Sequence, residues 1–426
     1  MTEHKLNVGI AGAGIAGLVA GLELLDAGYA VSIFEAAASA GGRIQSLTMD
    51  GLVIETGPEF IHGSPAETIG LLKKYKIPFY RGWGKMFRAS KGHLTETQEM
   101  IKDWDKLLEK MKSLEDDLPF MDFLEKNFSG EKYNGLRESA IRFAEGFDLA
   151  DVQMASTQGL TLEWNDEESE QYRVEGGYEK LIDALSQEFK NAGGKLLFYH
   201  AVRQVRWDTE NIIVATENER KFNLEKLIVT VPLGALNQSA ASGESIVFYP
   251  AIDEKMEAFR NIGYGTVIKI VLVWNSLFWK KLIPGVQFIF SDSLIPTWWT
   301  QFPRDIPMLT GWLGGPQADR LANEPDEFFK EKAIESLASI FSLSADKIRE
   351  SLKSCMVFNW RNKPWSRGAY SYPKYGSGSA IAICRQSLSN RIYFAGEAYY
   401  EGPYPGTVEA AIINGKETSR QLITEI

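Results

Sequence analysis

The stretch that decides the fold is residues 8–43, VGIAGAGIAGLVAGLELLDAGYAVSIFEAAASAGGR. A short run rich in β-forming residues (6–12) leads into a helix-like segment (15–27), and a second β-rich run follows at 30–35. A strand, a helix and a strand at this spacing are typical of a parallel βαβ unit. The sequence therefore predicts an α/β protein with a parallel sheet.

Three glycines, Gly12, Gly14 and Gly17, stand between the first predicted strand and the first predicted helix. In dinucleotide-binding folds the first glycine allows a tight turn, the second lets the backbone approach a pyrophosphate, and the third lets the helix pack closely on the strand. The pyrophosphate then lies at the helix N-terminus, where free N–H groups favour anions. Glu35 ends the second strand, where a carboxylate can accept hydrogen bonds from a ribose diol. The pattern predicts a bound dinucleotide, and a chance glycine-rich turn is the alternative.

Two further segments favour FAD over NAD. Gly41-Gly42-Arg43 follows Glu35 and offers a second close backbone approach, together with a cation, to the same pyrophosphate. Gly396-Glu397 ends a predicted strand (391–395), where an acid after a glycine can bind the ribityl hydroxyls of a flavin. The alternatives are a plain turn for the first segment and a solvated loop acid for the second.

The composition argues against several classes of protein. The chain has 426 residues, of which 44% are hydrophobic and 24% charged, which is the ordinary globular balance and predicts two or three domains. Lys+Arg 46 against Asp+Glu 56 gives a net charge of −10, which argues against a nucleic-acid partner. Two cysteines build no disulfide framework, and no apolar run is long enough for a spanning helix. We expect a cytoplasmic protein without a membrane anchor or a metal site.

Beyond these patterns the chain resembles the FAD-dependent amine oxidases, which include monoamine oxidases, polyamine and spermine oxidases and flavin-dependent histone-lysine demethylases. The similarity extends over nearly the whole length. Besides the opening stretch, it is carried by GPEFIHGS (57–64), VEGGYEKLIDAL (174–185), LIVTVPLGAL (227–236), YGTVIKI (264–270), NWRNKPWSRGAYSY (359–372) and FAGEAYYEGPYPGTVEAAIING (394–415).

The resemblance implies a two-domain architecture. A Rossmann-like FAD-binding domain is built from discontinuous segments, and an α+β substrate-binding domain, a mixed sheet flanked by helices, is inserted between them. We expect residues 1–76, 174–240 and 385–426 in the FAD-binding domain. Residues 77–173 and 241–384 then form the substrate-binding domain.

The resemblance also implies how FAD is held. Ala369 stands where monoamine oxidases carry the cysteine bonded to the flavin, so we expect non-covalent FAD. Trp360 and Trp365 resemble packing residues of the flavin site, although either could equally belong to the core. The full set of expected FAD contacts is Gly12, Gly14, Ala16, Gly17, Glu35, Gly42, Arg43, Gly57, Pro58, Val202, Trp360, Trp365, Gly396, Glu397, Thr407 and Val408.

Lys269 lies in the run 267–273, VIKIVLV, which apart from the lysine is apolar on both faces. A surface strand would alternate, so the pattern predicts that Lys269 points into the interior, where an unpaired ammonium is costly. The alternative is an edge-strand lysine that blocks aggregation. The resemblance implies that Lys269 holds a water near flavin N5, where it assists reoxidation or imine hydrolysis.

Three further catalytic candidates follow from the resemblance. Tyr370 corresponds to an aromatic wall of the substrate cage, and the opposite wall aligns with Thr407, as in polyamine oxidases and demethylases. The last predicted helix begins near Thr407, and its positive end would stabilise the reduced flavin. His62, in the segment 57–64, corresponds to a histidine close to substrate in polyamine and spermine oxidases, although most lone histidines are structural.

The implied reaction oxidises a C–N bond. A neutral amine passes a hydride from its α-carbon to the flavin, the imine hydrolyses to an aldehyde, and dioxygen is reduced to hydrogen peroxide. An L-amino-acid oxidase is an alternative that needs an arginine for the substrate carboxylate. A carotenoid- or porphyrin-type desaturase and a non-catalytic flavin-binding scaffold are more distant alternatives. The arginines considered for the carboxylate are Arg81, Arg88, Arg137 and Arg142.

Substrate recognition is poorly determined by the sequence. Glu59 and the acidic run 163–170 are candidates for attracting a cationic amine, and a solvated loop is the alternative for the acidic run. The particular amine, the bond cleaved, the physiological electron acceptor and the oligomeric state stay open.

Overall fold

A computed structural model describes residues 5–90, 92–165, 170–239 and 244–425. Within these ranges the strands are β1 (Asn7–Ala11), β2 (Ala30–Phe34), β3 (Ser46–Met49), β4 (Leu52–Glu55), β5 (Ile61–His62), β6 (Phe79–Gly82), β7 (Lys85–Ser90), β8 (His93–Thr97), β9 (Gln171–Val174), β10 (Lys195–Leu197), β11 (Val202–Arg206), β12 (Ile212–Thr216), β13 (Lys221–Leu224), β14 (Lys226–Val229), β15 (Val247–Tyr249), β16 (Gly263–Tyr264), β17 (Val267–Trp274), β18 (Val286–Ser291), β19 (Thr297–Thr300), β20 (Met308–Gly314), β21 (Leu352–Asn359), β22 (Ser371–Tyr372) and β23 (Ile392–Phe394).

Helices alternate with these strands along the chain. They are α1 (Ile15–Asp26), α2 (Ala66–Lys74), α3 (Trp104–Lys112), α4 (Phe120–Asn127), α5 (Asn134–Gly146), α6 (Thr157–Asn165), α7 (Glu179–Asn191), α8 (Leu233–Leu236), α9 (Asp253–Asn261), α10 (Gly315–Arg320), α11 (Asp326–Phe341), α12 (Ala345–Glu350), α13 (Gly378–Arg385) and α14 (Val408–Thr424). Among the residues that the structure describes, no helix is both long and apolar enough to cross a bilayer.

The chain divides into two compact units. The first comprises Met1–Phe79, Val174–Tyr264 and Lys363–Ile426, and the second comprises Tyr80–Arg173 and Gly265–Asn362. Their roles as FAD-binding and substrate-binding domains stay predictions.

The unit boundaries differ from the expected domain boundaries in two segments. The sequence placed residues 244–264 and 363–384 with the substrate-binding domain, but they lie in the first unit. Strand β15 pairs with β11 there, and β16 pairs with β22. Helices α9 and α13 contribute Phe259 and Cys384 to one apolar cluster. These pairings are distant along the chain and leave no local signal in the sequence.

The first unit is built on a five-stranded parallel sheet in the order β10-β2-β1-β14-β23. The predicted βαβ unit is confirmed, because β1 and β2 pair in parallel from Asn7 opposite Ala30 and α1 connects them. The residues of α1 from Ile15 to Gly21 are all buried, which fits its almost wholly apolar sequence. A second sheet, β13-β12-β11-β15, packs its apolar residues into the same unit.

The second unit is built on a seven-stranded mixed sheet in the order β21-β17-β20-β19-β18-β7-β8. One face of this sheet packs against α11, with Ile268 and Leu272 in the same apolar cluster as Phe329 and Leu337. A mixed sheet flanked by helices confirms the expected architecture of the inserted region. The predicted α/β fold class is confirmed by both units together.

Candidate active site

The three glycines lie in the turn between β1 and α1, and each occupies a different environment. Gly12 has a φ of +112°, in the left-handed region that favours glycine. A Cβ on Gly17 would overlap the carbonyl oxygen of Gly12, so glycine is needed for α1 to begin this close to β1. A Cβ on Gly14 would meet no atom within 4 Å, which leaves open space beside the turn. This cradle fits the pyrophosphate of a dinucleotide.

The N-terminus of α1 is prepared for an anion. Gly14 is its N-cap residue, no side chain caps the helix, and no acidic residue lies in the first turn. The first N–H groups of the helix therefore have no intrahelical partner, and they attract negative charge.

The second pair of glycines lies directly against the first turn. The backbone N–H of Gly41 donates to the carbonyl of Ala13 over 2.9 Å, and Gly41 forms a parallel bridge with Gly14. A Cβ on Gly42 would lie 3.6 Å from the Cα of Gly14. Both segments can therefore contact one pyrophosphate, as the sequence predicts.

Glu35 is buried at the end of β2, where it organises the glycine turn. Its Oε2 accepts from the N–H of Ala13 at 2.7 Å, and its Oε1 accepts from the N–H of Ala37 at 2.8 Å. Burial raises the pKa of the Glu35 carboxyl, and the backbone hydrogen bonds oppose this rise. Each carboxylate oxygen has a second acceptor position, so the residue can also bind a ribose diol.

Arg43 and Glu397 form a buried network at the other end of the sheet. The Nη1 of Arg43 donates to Glu397 Oε1 at 2.7 Å and to the Ala369 carbonyl at 2.6 Å. The Ser371 hydroxyl donates to Glu397 Oε2 at 2.5 Å. Glu397 is 4% exposed, so its interpretation as a solvated loop acid is wrong. Gly396 precedes it with a φ of +152° and donates its N–H to Asn414 Oδ1.

Tyr370 and Thr407 are linked through Gly406. Gly406 has a φ of +69°, and a Cβ there would lie 2.9 Å from Cδ2 of Tyr370. Thr407 is the N-cap residue of α14, which begins at Val408 as the sequence predicts. The Thr407 hydroxyl accepts from the N–H of Ala410 at 3.1 Å and donates to a loop carbonyl at 2.7 Å. Tyr370, Thr407 and Val408 are all half-buried.

The segment 57–64 carries an uncharged histidine. His62 ends β5, and burial lowers the pKa of its imidazole to about 4. It is therefore neutral at physiological pH and can exchange hydrogen bonds without carrying charge. Glu59 is 8% exposed, so it is not a solvent-facing residue. Gly57 and Pro58 are half-buried at the start of the segment.

The other expected FAD contacts of the first unit are held by apolar packing. Val202 begins β11 and is buried in an apolar cluster. Ala16 lies in the first turn of α1, where its carbonyl approaches Gly415 of α14. Trp365 has a φ of +68°, and the Arg203 guanidinium lies 4.4 Å from its ring centroid. This cation–π contact holds the indole in place.

Lys269 and Trp360 belong to the second unit. Every residue of β17 is buried, Lys269 is 1% exposed, and its Nζ lies 5.6 Å from the ring centroid of Trp299. The predicted interior position is confirmed, and the edge-strand alternative is wrong because β17 lies between β21 and β20. Trp360 is buried directly after β21, and its N–H donates to the Val267 carbonyl at 3.1 Å.

Lys269 heads a row of residues that crosses the second unit's sheet on one face. Residues directly opposite in neighbouring strands share a face. Four strand spacings of about 4.8 Å place the row's ends roughly 19 Å apart. The sequence analysis did not identify the aromatic members of this row, because only the register brings them together. In order, the row is Lys269, Trp312, Thr297, Phe290 and Arg88.

The remaining substrate-recognition candidates have other contacts. Arg81 pairs with Glu170 at 3.1 Å. Arg142 pairs with Asp292, and Arg137 donates to backbone carbonyls. Residues 166–169 of the acidic run lie outside the described residues. Its tryptophan, Trp164, is buried and donates to Asp148 at 3.0 Å, so it packs in the core. Within the described residues, no group of three or more His, Cys, Asp or Glu side chains could hold a metal ion.

Comparison with known proteins identifies relatives over the whole chain. Residues 15–423 match the model of a family described as flavin containing amine oxidoreductase. Lysine-specific histone demethylase 1B of Mus musculus is 24% identical over 458 residues, which cover 98% of this chain and 53% of that protein. Lysine-specific histone demethylase 1 homolog 1 of Arabidopsis thaliana is 24% identical over 456 residues, with 98% and 52% covered. The chain thus spans about half the length of these curated relatives.

Two solved structures share the fold along their full length. Putrescine oxidase bound to putrescine superposes with a TM-score of 0.83 at 20% identity, and the match covers 99% of each chain. Cyclohexylamine oxidase from Brevibacterium oxydans superposes with a TM-score of 0.82 at 17% identity, again over 99% of each chain.

Proposed function

Because this chain belongs to the family of flavin-containing amine oxidoreductases, we propose that it removes a hydride from the carbon next to an amine nitrogen. The resulting imine hydrolyses to an aldehyde, and molecular oxygen is reduced to hydrogen peroxide. FAD is the cofactor, and when bound its flavin supplies the two-electron redox chemistry.

The first unit has residues that fit FAD. The open side of Gly14 and the adjoining Gly42 would receive the pyrophosphate, and Glu35 would bind the ribose. Glu397 would bind the ribityl hydroxyls with the acceptor positions that Arg43 and Ser371 leave. Ala369 has no thiol, which supports non-covalent binding.

Lys269 supports the proposed chemistry most directly. It is a lysine in the middle of a fully buried apolar strand, where a charged side chain is costly to keep without a role. We propose that its Nζ holds a water molecule for reoxidation or imine hydrolysis. Tyr370 would orient the amine with its flat face, which does not compete for the nitrogen lone pair. Neutral His62 would accept or donate one hydrogen bond near the amine.

The row headed by Lys269 indicates the kind of amine. Strands β17, β18, β19 and β20 contain no Asp or Glu, and the charged members of the row, Lys269 and Arg88, are both cationic. A second ammonium would therefore meet aromatic rings and like charge. Cation–π contacts are worth about 0.5–2 kcal/mol, whereas an uncompensated buried charge costs several kcal/mol. We propose a monoamine with an apolar body as the substrate.

Arg88 favours a second candidate function, the oxidation of an L-amino acid. It lies on the same sheet face as Lys269 and could pair with a substrate carboxylate. Its Nη2 already donates to the Met100 carbonyl at 2.9 Å, and its remaining donors would be available for the carboxylate. Its distance from Lys269 makes this candidate the weaker one.

A peroxide-release screen on FAD-loaded protein tests these proposals. Aromatic and alicyclic monoamines, polyamines and L-amino acids are supplied in turn, and flavin bleaching without oxygen is followed in parallel. Bleaching and peroxide with monoamines support the proposed oxidase. Turnover with amino acids, lost in Arg88→Gln, supports the second candidate. Bleaching without peroxide identifies a dehydrogenase, and no bleaching with any substrate refutes amine oxidation.

A further inference from the structure

Glu409 is a buried carboxylate that holds the beginning of another helix. It lies in the first turn of α14 and is 5% exposed. Its Oε1 accepts from the N–H of Glu67 at 2.9 Å. Its Oε2 accepts from the N–H and the hydroxyl of Thr68, both at 2.7 Å. Both residues lie in the first turn of α2, so Glu409 caps a helix more than 300 residues away in the chain.

This long-range cap replaces a local one. The N-cap residue of α2 is Pro65, and no side chain of its own segment caps the helix. The first N–H groups of a helix need acceptors, and an anion there is also favoured by the helix dipole. Glu409 meets the N-termini of both α2 and α14. Three hydrogen bonds and two helix N-termini explain how this carboxylate is stabilised in the interior.

The two helices that Glu409 joins both begin at candidate site residues. Helix α2 directly follows the segment 57–64, which carries His62. Helix α14 begins at Val408, directly after Thr407. A second contact lies two turns further along α14, where Lys416 pairs with Glu67 at 2.6 Å. That ion pair is partly exposed, so it contributes less than the buried cap.

We propose that Glu409 is a positioning residue, which fixes the segment 57–64 relative to the start of α14 and so determines where His62 meets the amine. The inference rests on the proposed function, because the consequence for catalysis requires an amine substrate. The structural consequence does not: without the cap, α2 loses its fixed starting point and the segment before it gains freedom.

The test compares Glu409→Gln with Lys416→Gln in FAD-loaded protein. Amide hydrogen exchange is measured in residues 66–70 and 57–64, and kcat and KM are measured with the best amine of the screen. We expect Glu409→Gln to raise exchange in both segments and KM by about tenfold, the size that loss of a hydrogen bond to a charged group implies. The value of kcat should change less. Lys416→Gln should leave exchange in 57–64 and KM near the wild type.

Exchange that rises in 66–70 alone, or a KM that does not change when both segments loosen, would overturn the inference. A wild-type protein that oxidises no amine refutes the proposed function instead, and exchange in 57–64 then decides the positioning claim on its own. If Glu409→Gln fails to fold, Thr68→Val removes one of the three hydrogen bonds. It should produce a smaller rise in exchange in the same two segments.

Discussion

The guanidinium of Arg43 lies 2.7 Å from the carboxylate of Glu397, although 354 residues separate them in the chain. Arg43 follows the loop after β2, and Glu397 follows β23 at one edge of the parallel sheet. Ligands of open parallel sheets bind at the carboxyl ends of the strands. The ion pair therefore joins two distant segments on the side of the sheet where the cofactor is expected.

Replacing Glu397 by glutamine should weaken both the fold and FAD binding. The variant leaves the partly buried Arg43 without its counter-charge, and removing one partner of a buried ion pair costs about 3 kcal/mol. Urea unfolding of the FAD-free protein and an FAD titration measure the two effects. Glu417→Gln is the control, because its pair with Arg385 is partly exposed and should be worth less than about 1 kcal/mol. Equal losses in the two variants would contradict the assignment.

Two alanine substitutions in the glycine turn should have opposite signatures. In Gly17→Ala the new methyl group overlaps the Gly12 carbonyl, so we expect a stability loss of about 2–3 kcal/mol before any cofactor is added. In Gly14→Ala the methyl group enters open space, so the FAD-free protein should keep its stability. FAD affinity should nevertheless fall at least about tenfold, because the methyl group occupies the approach of the pyrophosphate.

Thermal unfolding without FAD and fluorescence titration with FAD separate these two cases. Unimpaired FAD binding by Gly14→Ala would show that the cofactor phosphates lie elsewhere.

His62 should make the protein less stable in acid. Its pKa is about 4 in the folded protein against an ordinary value of 6.5, so between these values the unfolded chain binds more protons. The free energy of unfolding should therefore fall as the pH drops from 6.5 towards 4, by at most about 3 kcal/mol. Urea unfolding at both ends of this window measures the effect, and His62→Asn should remove this part of it. An identical acid dependence in the variant would mean that other groups are responsible.

The charge of the substrate can be tested with a matched pair, hexylamine and 1,6-diaminohexane. The two differ only in a second ammonium, which would lie along the row of Trp312 and Phe290 between two cationic side chains. We expect kcat/KM to be at least about tenfold higher for hexylamine, which corresponds to roughly 1.4 kcal/mol. A preference for the diamine that disappears in Glu59→Gln would instead identify Glu59 as the partner of the second ammonium.

The sequence predicted features whose causes are local. The three glycines of the first turn could be assigned because a tight turn, an open approach and a close helix each demand glycine within six residues. The burial of Lys269 followed from an unbroken apolar run around it, and the beginning of α14 followed from the threonine that caps it.

Other features depend on contacts that no local pattern records. The acceptors of Arg43 lie more than 300 residues away, and so do the amides bound by Glu409. The segment 345–354 has a helical pattern, but α12 ends at Glu350 and β21 begins at Leu352 because β17 offers a full row of hydrogen-bonding partners. Tertiary pairing there outweighs helix propensity.

The strand order of the parallel sheet has a consequence for biosynthesis. Strand β1 is among the first segments to leave the ribosome, yet its neighbour β14 is made some 220 residues later and the edge strand β23 nearly 400 residues later. The early βαβ segment must therefore wait with one side of its central strand unpaired, which is the state in which strands associate wrongly. The sheet closes only when β23 and α14 have been translated. Cofactor loading is then a late event, and a chaperone that shields β1 should raise the yield of folded protein.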